Sequence, residues 1–108
     1  MAYDLALADR IREEIGSNPR FTEKKMFGGI AFLLDGKMAA GIVKDLLMIR
    51  CRQNNYQTFL QKPFVREMDF TGKPLKGFLY IEPEGYDLDA DLQFWIEEAI
   101  AFVENKNS

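Results

Sequence analysis

The sequence predicts an α+β domain of two layers, a mostly antiparallel sheet flanked by helices in the order α-β-β-β-β-α-β-β-α. Three observations lead there. Two short apolar runs, Ile30 to Leu34 and Met38 to Val43, are joined through Asp35-Gly36, a pair that accepts positive φ and favours a tight hairpin turn. Helical periodicity is clearest near the end of the chain, where Leu88, Leu92, Trp95, Ile96, Ala99, Phe102 and Val103 form one broad apolar stripe. The 108 residues, 47% of them apolar, suit a single domain over 1–108 that buries a core without disulfide staples.

Taken in order, residues 4 to 15 read as an amphipathic helix. Leu7, Ile11 and Ile15 recur at i, i+4 and i+8, with Asp9, Arg10, Glu13 and Glu14 on the other side. Gly16 ends it, with Pro19 just beyond. Phe21 to Phe27 is a first strand at a sheet edge, where Lys24 and Lys25 discourage pairing with another chain. Gly28 and Gly29 then permit a bulge or a close backbone approach. The hairpin follows, and after a turn at Lys44-Asp45, Leu46 to Cys51 makes a fourth strand. Asn54-Asn55 offers a cap for a short helix whose face carries Tyr56, Phe59 and Leu60 and which Pro63 limits. Arg66 to Phe70 is a strand, Thr71 to Pro74 a turn, and Phe78 to Ile81 the last strand, broken by Pro83 and Gly85. Asp87 or Asp89 caps the final helix, and the early aspartates suit its positive end.

Composition excludes several chemistries. Histidine is absent and serine occurs only at Ser17 and Ser108, so no Ser-His or Cys-His catalytic pair can be built within the chain. The single cysteine, Cys51, permits no internal disulfide and suits a reducing compartment; in an apolar strand it reads as a small core residue. Arg50 and Arg52 flank it on the opposite strand face. Asp87, Asp89, Asp91 and Glu98 resemble the acidic spacing of a calcium loop, but Leu92 stands where that loop needs glycine, and helix capping accounts for the aspartates. No metal, cofactor or catalytic residue is expected. A net charge of −3 argues against a broadly basic surface for nucleic acid. No secretory signal and no apolar run of spanning length occur, so the expectation is a cytoplasmic protein without membrane contact.

Lys25-Met26-Phe27-Gly28-Gly29, followed by Leu34-Asp35-Gly36-Lys37-Met38 and by the run from Tyr80 to Val103, resembles the TfoX N-terminal domain family over about Phe21 to Val103. The resemblance implies a fold like that of type III secretion chaperones. It also implies a link to regulation of natural competence, in which full-length members act with a transcription regulator. No counterpart of their C-terminal helical domain follows Val103, so a standalone N-terminal domain is expected. The resemblance carries over no catalytic residue, and Lys25, Met26, Phe27, Gly28 and Gly29 are expected to serve structure or partner contact.

The functional expectation is a non-catalytic protein-interaction or regulatory module, a homodimer with an unidentified protein partner. Ile30 to Leu34 and Leu46 to Ile49 do not alternate apolar with polar, so both sheet faces ask for cover. Helices on both faces, or a second subunit, would supply it. Phe94, set about opposite the Leu92, Ile96 and Ala99 stripe and beside Ala90 and Ala101, is a candidate partner contact. The alternatives are a small-molecule or anion-binding domain, an enzyme among its forms, with Arg50 and Arg52 as anion contacts, or direct nucleic-acid binding, suggested only by the family context.

Overall fold

Six antiparallel strands form one sheet in the order β1-β2-β3-β4-β6-β5. The computed structural model describes residues 3–16, 18–26, 28–69 and 74–104. The elements are α1 (Leu5–Ile15), β1 (Phe21–Met26), β2 (Gly29–Leu34), β3 (Lys37–Val43), β4 (Leu46–Arg50), α2 (Gln53–Leu60), β5 (Val65–Asp69), β6 (Pro74–Ile81), α3 (Pro83–Tyr86) and α4 (Asp89–Val103). The expected α+β order is observed, with one extra helical turn, α3, ahead of the last helix.

The β2–β3 hairpin closes as its sequence requires. Asp35 and Gly36 both take positive φ, 54° and 82°, the pair of left-handed positions that a type I′ turn needs. The register steps between Phe32 and Leu33, which leaves Ala39 as the additional residue of a bulge. Gly29 is obligatory for a different reason: a Cβ there would lie 2.0 Å from the Ile42 carbonyl oxygen on β3. Edge strand β1 carries Lys24 and Lys25 where the sheet ends.

Two helix starts and one strand start depart from expectation. Asp4 does cap α1, accepting from the Leu7 N–H at 3.1 Å, and Gly16 ends it at φ 70°. Helix α2, however, starts before Asn54-Asn55: Arg52 holds the N-cap position and no side chain caps it. Neither Asp87 nor Asp89 caps α4. Leu88 is the cap residue, because the chain turns through α3 and enters α4 directly, with Asp87 still in helical conformation and Asp89 in the first turn. Leu88 thereby leaves the apolar stripe and is 66% exposed. The last strand begins at Pro74 rather than Phe78, with proline in the first position, where its missing N–H does least harm to the ladder. The remainder of the expected turn, Thr71 to Lys73, lies outside the described residues.

The register assigns the two sheet faces. Ile30, Phe32, Ala40, Ile42, Leu47, Ile49, Leu79, Ile81 and Val65 are linked by cross-strand pairing and share one face. They form a single cluster with Leu7, Ala8 and Ile11 of α1, Tyr56 and Phe59 of α2, and Leu92, Trp95, Ile96, Ala99 and Val103 of α4. All three longer helices therefore cover the same face. Polar anchors finish the layer: Tyr86 donates its hydroxyl to the Asp45 carbonyl at 2.6 Å, and Trp95 donates Nε1–H to the Gly85 carbonyl at 3.0 Å. Among the described residues no helix is long and apolar enough to cross a membrane.

Candidate functional site

Two places on this frame carry unusual chemistry. The first is where β4 runs out into α2. Glu98 of α4 is only 5% exposed, and the apolar stripe surrounds it. Its Oε2 accepts from the Arg52 backbone N–H at 2.9 Å, from Arg52 Nε at 3.1 Å and from Asn55 Nδ2 at 3.2 Å, and its Oε1 accepts from Arg52 Nη2 at 2.8 Å. Burial works against this charge, but the hydrogen bonds from Arg52 and Asn55 outweigh it and hold the pKa below the ordinary glutamate range. The carboxylate of α4 thus takes the place of the cap that α2 lacks, and it ties the two helices together.

Arg50, two residues earlier, is treated differently. Its guanidinium carbon lies 4.7 Å from the Phe78 ring centroid and 4.5 Å from that of Phe102. Its Nε is shielded from solvent with no hydrogen-bond acceptor, an omission that costs about 1–3 kcal/mol in a buried donor. Arg10, Arg12, Arg20, Arg52 and Arg66 each reach a carboxylate; among the described residues Arg50 does not. The side chain borders a cavity of about 460 Å3. Cys51, which also lines that cavity, is 1% exposed, and burial with the nearby Glu98 charge raises its thiol to about 11. It is a protonated core residue at neutral pH, as its strand context suggested.

The second place is the other sheet face. Ala31, Gly41, Met48 and Tyr80 pair in succession across β2, β3, β4 and β6, and Leu33, Met38, Val43 and Leu46 share their side of the sheet. Ala31 and Met48 are buried, at 0% and 4% exposure, while Leu33, Met38, Val43, Leu46 and Tyr80 are half-buried. The Met48 side chain lies across Gly41, where a Cβ would come within 2.6 Å of its terminal methyl. No described helix packs on the centre of this face, and only at its end does Phe102 of α4 reach Arg50, which by register stands on this side with Phe78. Of the two arrangements open in the sequence, helices covering both sides is the one the fold does not adopt.

The other sequence-selected residues fall as follows. Gly28 adopts φ 74° and Gly29 admits no side chain, so the glycines of the motif serve the backbone. Lys25 of β1 pairs with Ile30 of β2 and is exposed; Met26 pairs with Gly29 at the strand end; Phe27 lies outside the described residues. Lys24 and Lys25 do not join Arg50 and Arg52 in one basic region, because β2 and β3 stand between them. Arg52 is committed to Glu98. Phe94 is 42% exposed but is not set apart on a bare alanine surface. Its ring meets Phe59 and Trp95 edge-on at 5.5 and 4.9 Å, with the Lys62 ammonium 5.4 Å from its centroid. Glu98 enters the sequence reading only through the rejected calcium-loop spacing, although its position holds a clue to its burial: it stands three residues after Trp95 and four before Phe102, on the buried side of the helix.

No curated protein matches the chain significantly. The TfoX N-terminal domain profile matches residues 13–103, which takes in every element except the start of α1. The chain therefore belongs to the TfoX N-terminal domain family.

Proposed function

We propose that this domain is a non-catalytic regulatory module of the competence-linked kind, acting through protein contacts as a homodimer. The observation that carries the reading is the helix-free apolar sheet face built from Leu33, Met38, Val43, Leu46, Met48 and Tyr80. A second copy suits it in size and symmetry. The whole six-stranded face, at ~4.8 Å spacing and ~17 Å of strand length, spans roughly 500 Å2 in projection; its apolar centre lies on β2, β3, β4 and β6, with Thr22, Lys24 and Arg66 at the rim by register. Side-chain relief brings the projected area to the order of the ~800 Å2 per partner of a standard interface. A two-fold axis through the face places like residues against like, and two twisted sheets stack face to face at ~10 Å, as in a β-sandwich. Family membership supports a regulatory role. The histidine-free composition, with serine confined to Ser17 and Ser108, favours contact over turnover.

Sedimentation equilibrium over a dilution series tests the reading. The wild-type chain is expected to sediment as a dimer that dissociates on dilution, and the Leu33→Glu, Leu46→Glu double variant as a folded monomer. A wild-type chain that stays monomeric at high micromolar concentration refutes the dimer.

A further inference from the structure

We propose that the cavity beside Arg50 is a binding site for a small organic carboxylate. At about 460 Å3 it falls in the size range of metabolite pockets, and Arg50, Gln53, Tyr56, Gln57 and Phe102 line it. The only formal charge among these side chains is the Arg50 guanidinium; the rest of the polar lining is amide and phenol. The phenol of Tyr56, protonated at neutral pH like any tyrosine and pushed further up by burial and the Glu67 charge, is a donor at the cavity wall.

The positioning of Arg50 makes the case. Contacts to the rings of Phe78 and Phe102 fix the cation, yet they satisfy none of its in-plane N–H groups. Those N–H edges are what a planar carboxylate accepts, two at a time. Glu98, the buried carboxylate of α4, cannot serve, because Arg52 and Asn55 engage both of its oxygens. A cation held beside a cavity by two rings, with an orphaned donor and no ion-pair partner among the described residues, is suited to receive one acceptor group. One guanidinium balances one negative charge. A monoanionic carboxylate therefore fits better than a phosphate dianion, which would leave a charge stranded among amides and a ring. The Gln53 and Gln57 amides are placed to hydrogen-bond polar groups on the rest of the ligand, and the Phe102 ring to pack on its apolar part.

The test is a titration of 15N-labelled protein with benzoate, benzamide and inorganic phosphate, read on the Gln53 and Gln57 side-chain amides and the Gly77 N–H. Benzoate is expected to give saturable shifts, with benzamide and phosphate at least about tenfold weaker. Arg50→Lys, which keeps the charge but loses the fork, should weaken benzoate about tenfold, and Arg50→Gln should abolish it. Should either variant lose its fold, Gln57→Glu supplies a second arm. It offers Arg50 an internal carboxylate from an exposed position, and it is expected to raise the melting temperature and eliminate benzoate shifts. Phosphate binding as tight as benzoate overturns the carboxylate assignment. Absence of saturable shifts with any anion, or benzoate shifts unchanged in Arg50→Gln or Gln57→Glu, overturns the site.

Discussion

Replacing Glu98 by glutamine isolates the contribution of the lock between α2 and α4. The substitution preserves shape and one acceptor oxygen but removes the charge that Arg52 and Asn55 surround. Breaking a buried ion pair by removing one partner costs about 3–5 kcal/mol. The Arg52 side chain is 23% exposed against 4% for Glu98, so water recovers part of the loss on the arginine side. A cost of about 2–3 kcal/mol is therefore expected at pH 7, or about 10 °C in Tm for a domain of this size. Arg52→Met should cost more, since it strands the more buried of the two charges. The pH dependence has a definite sign. The folded pKa of Glu98 is depressed, so its stabilisation is present above the unfolded glutamate pKa of about 4.3 and is lost as pH falls through the folded value. Urea unfolding at pH 7 and at pH 3 measures both effects through the midpoint at constant slope. The expected gap between wild type and Glu98→Gln is wide at pH 7 and narrower at pH 3. A variant within about 0.5 kcal/mol of wild type at pH 7, the range of an ordinary surface change, would refute the assignment.

Further predictions concern the sheet and its anchors. Gly29→Ala drives a Cβ into the Ile42 carbonyl and should cost about 3 kcal/mol, the upper end for forced overpacking, whereas Gly36→Ala meets no neighbour and strains only the turn. Urea midpoints of the two variants give the comparison, and equal losses would contradict the close approach at Gly29. Cys51 should resist iodoacetamide at pH 7.5 in the native state and react once unfolded. Because its folded pKa is raised, its share of stability is intact below about pH 8.5 and is lost as pH rises through about 11, so Cys51→Ala should flatten the alkaline decline in stability that thermal melts are expected to record. Tyr86→Phe removes the bond to the Asp45 carbonyl and should cost about 1–2 kcal/mol by the same melts; no loss would show the bond to be dispensable.

What the sequence disclosed follows from how local each cause is. The Asp35-Gly36 turn, the Gly16 stop and the α4 stripe depend on residues within one turn or one hairpin, and each occurs where the pattern places it. Helix starts were less readable because their caps are tertiary. Asn54-Asn55 offers cap chemistry, but Glu98, more than forty positions away, takes the Arg52 N–H instead. Leu88 read as core because its spacing matched the stripe; the α3 turn, which no periodicity announces, moved it to the helix cap. Arg50 and Arg52 looked equivalent on either side of Cys51. Only the fold separates them, by giving one a carboxylate and the other two aromatic rings and a cavity. The unalternating strands did disclose a sheet apolar on both sides, because strand periodicity depends on the chain alone.

That second apolar face carries the functional reading, and an isotope-filtered NOE experiment on a mixture of labelled and unlabelled chains probes it directly. The proposed dimer requires cross-copy contacts from the methyl groups of Leu33, Met38, Val43 and Leu46. No cross-copy signal, or contacts confined to Leu5 and Leu88 on the helical side, would contradict it.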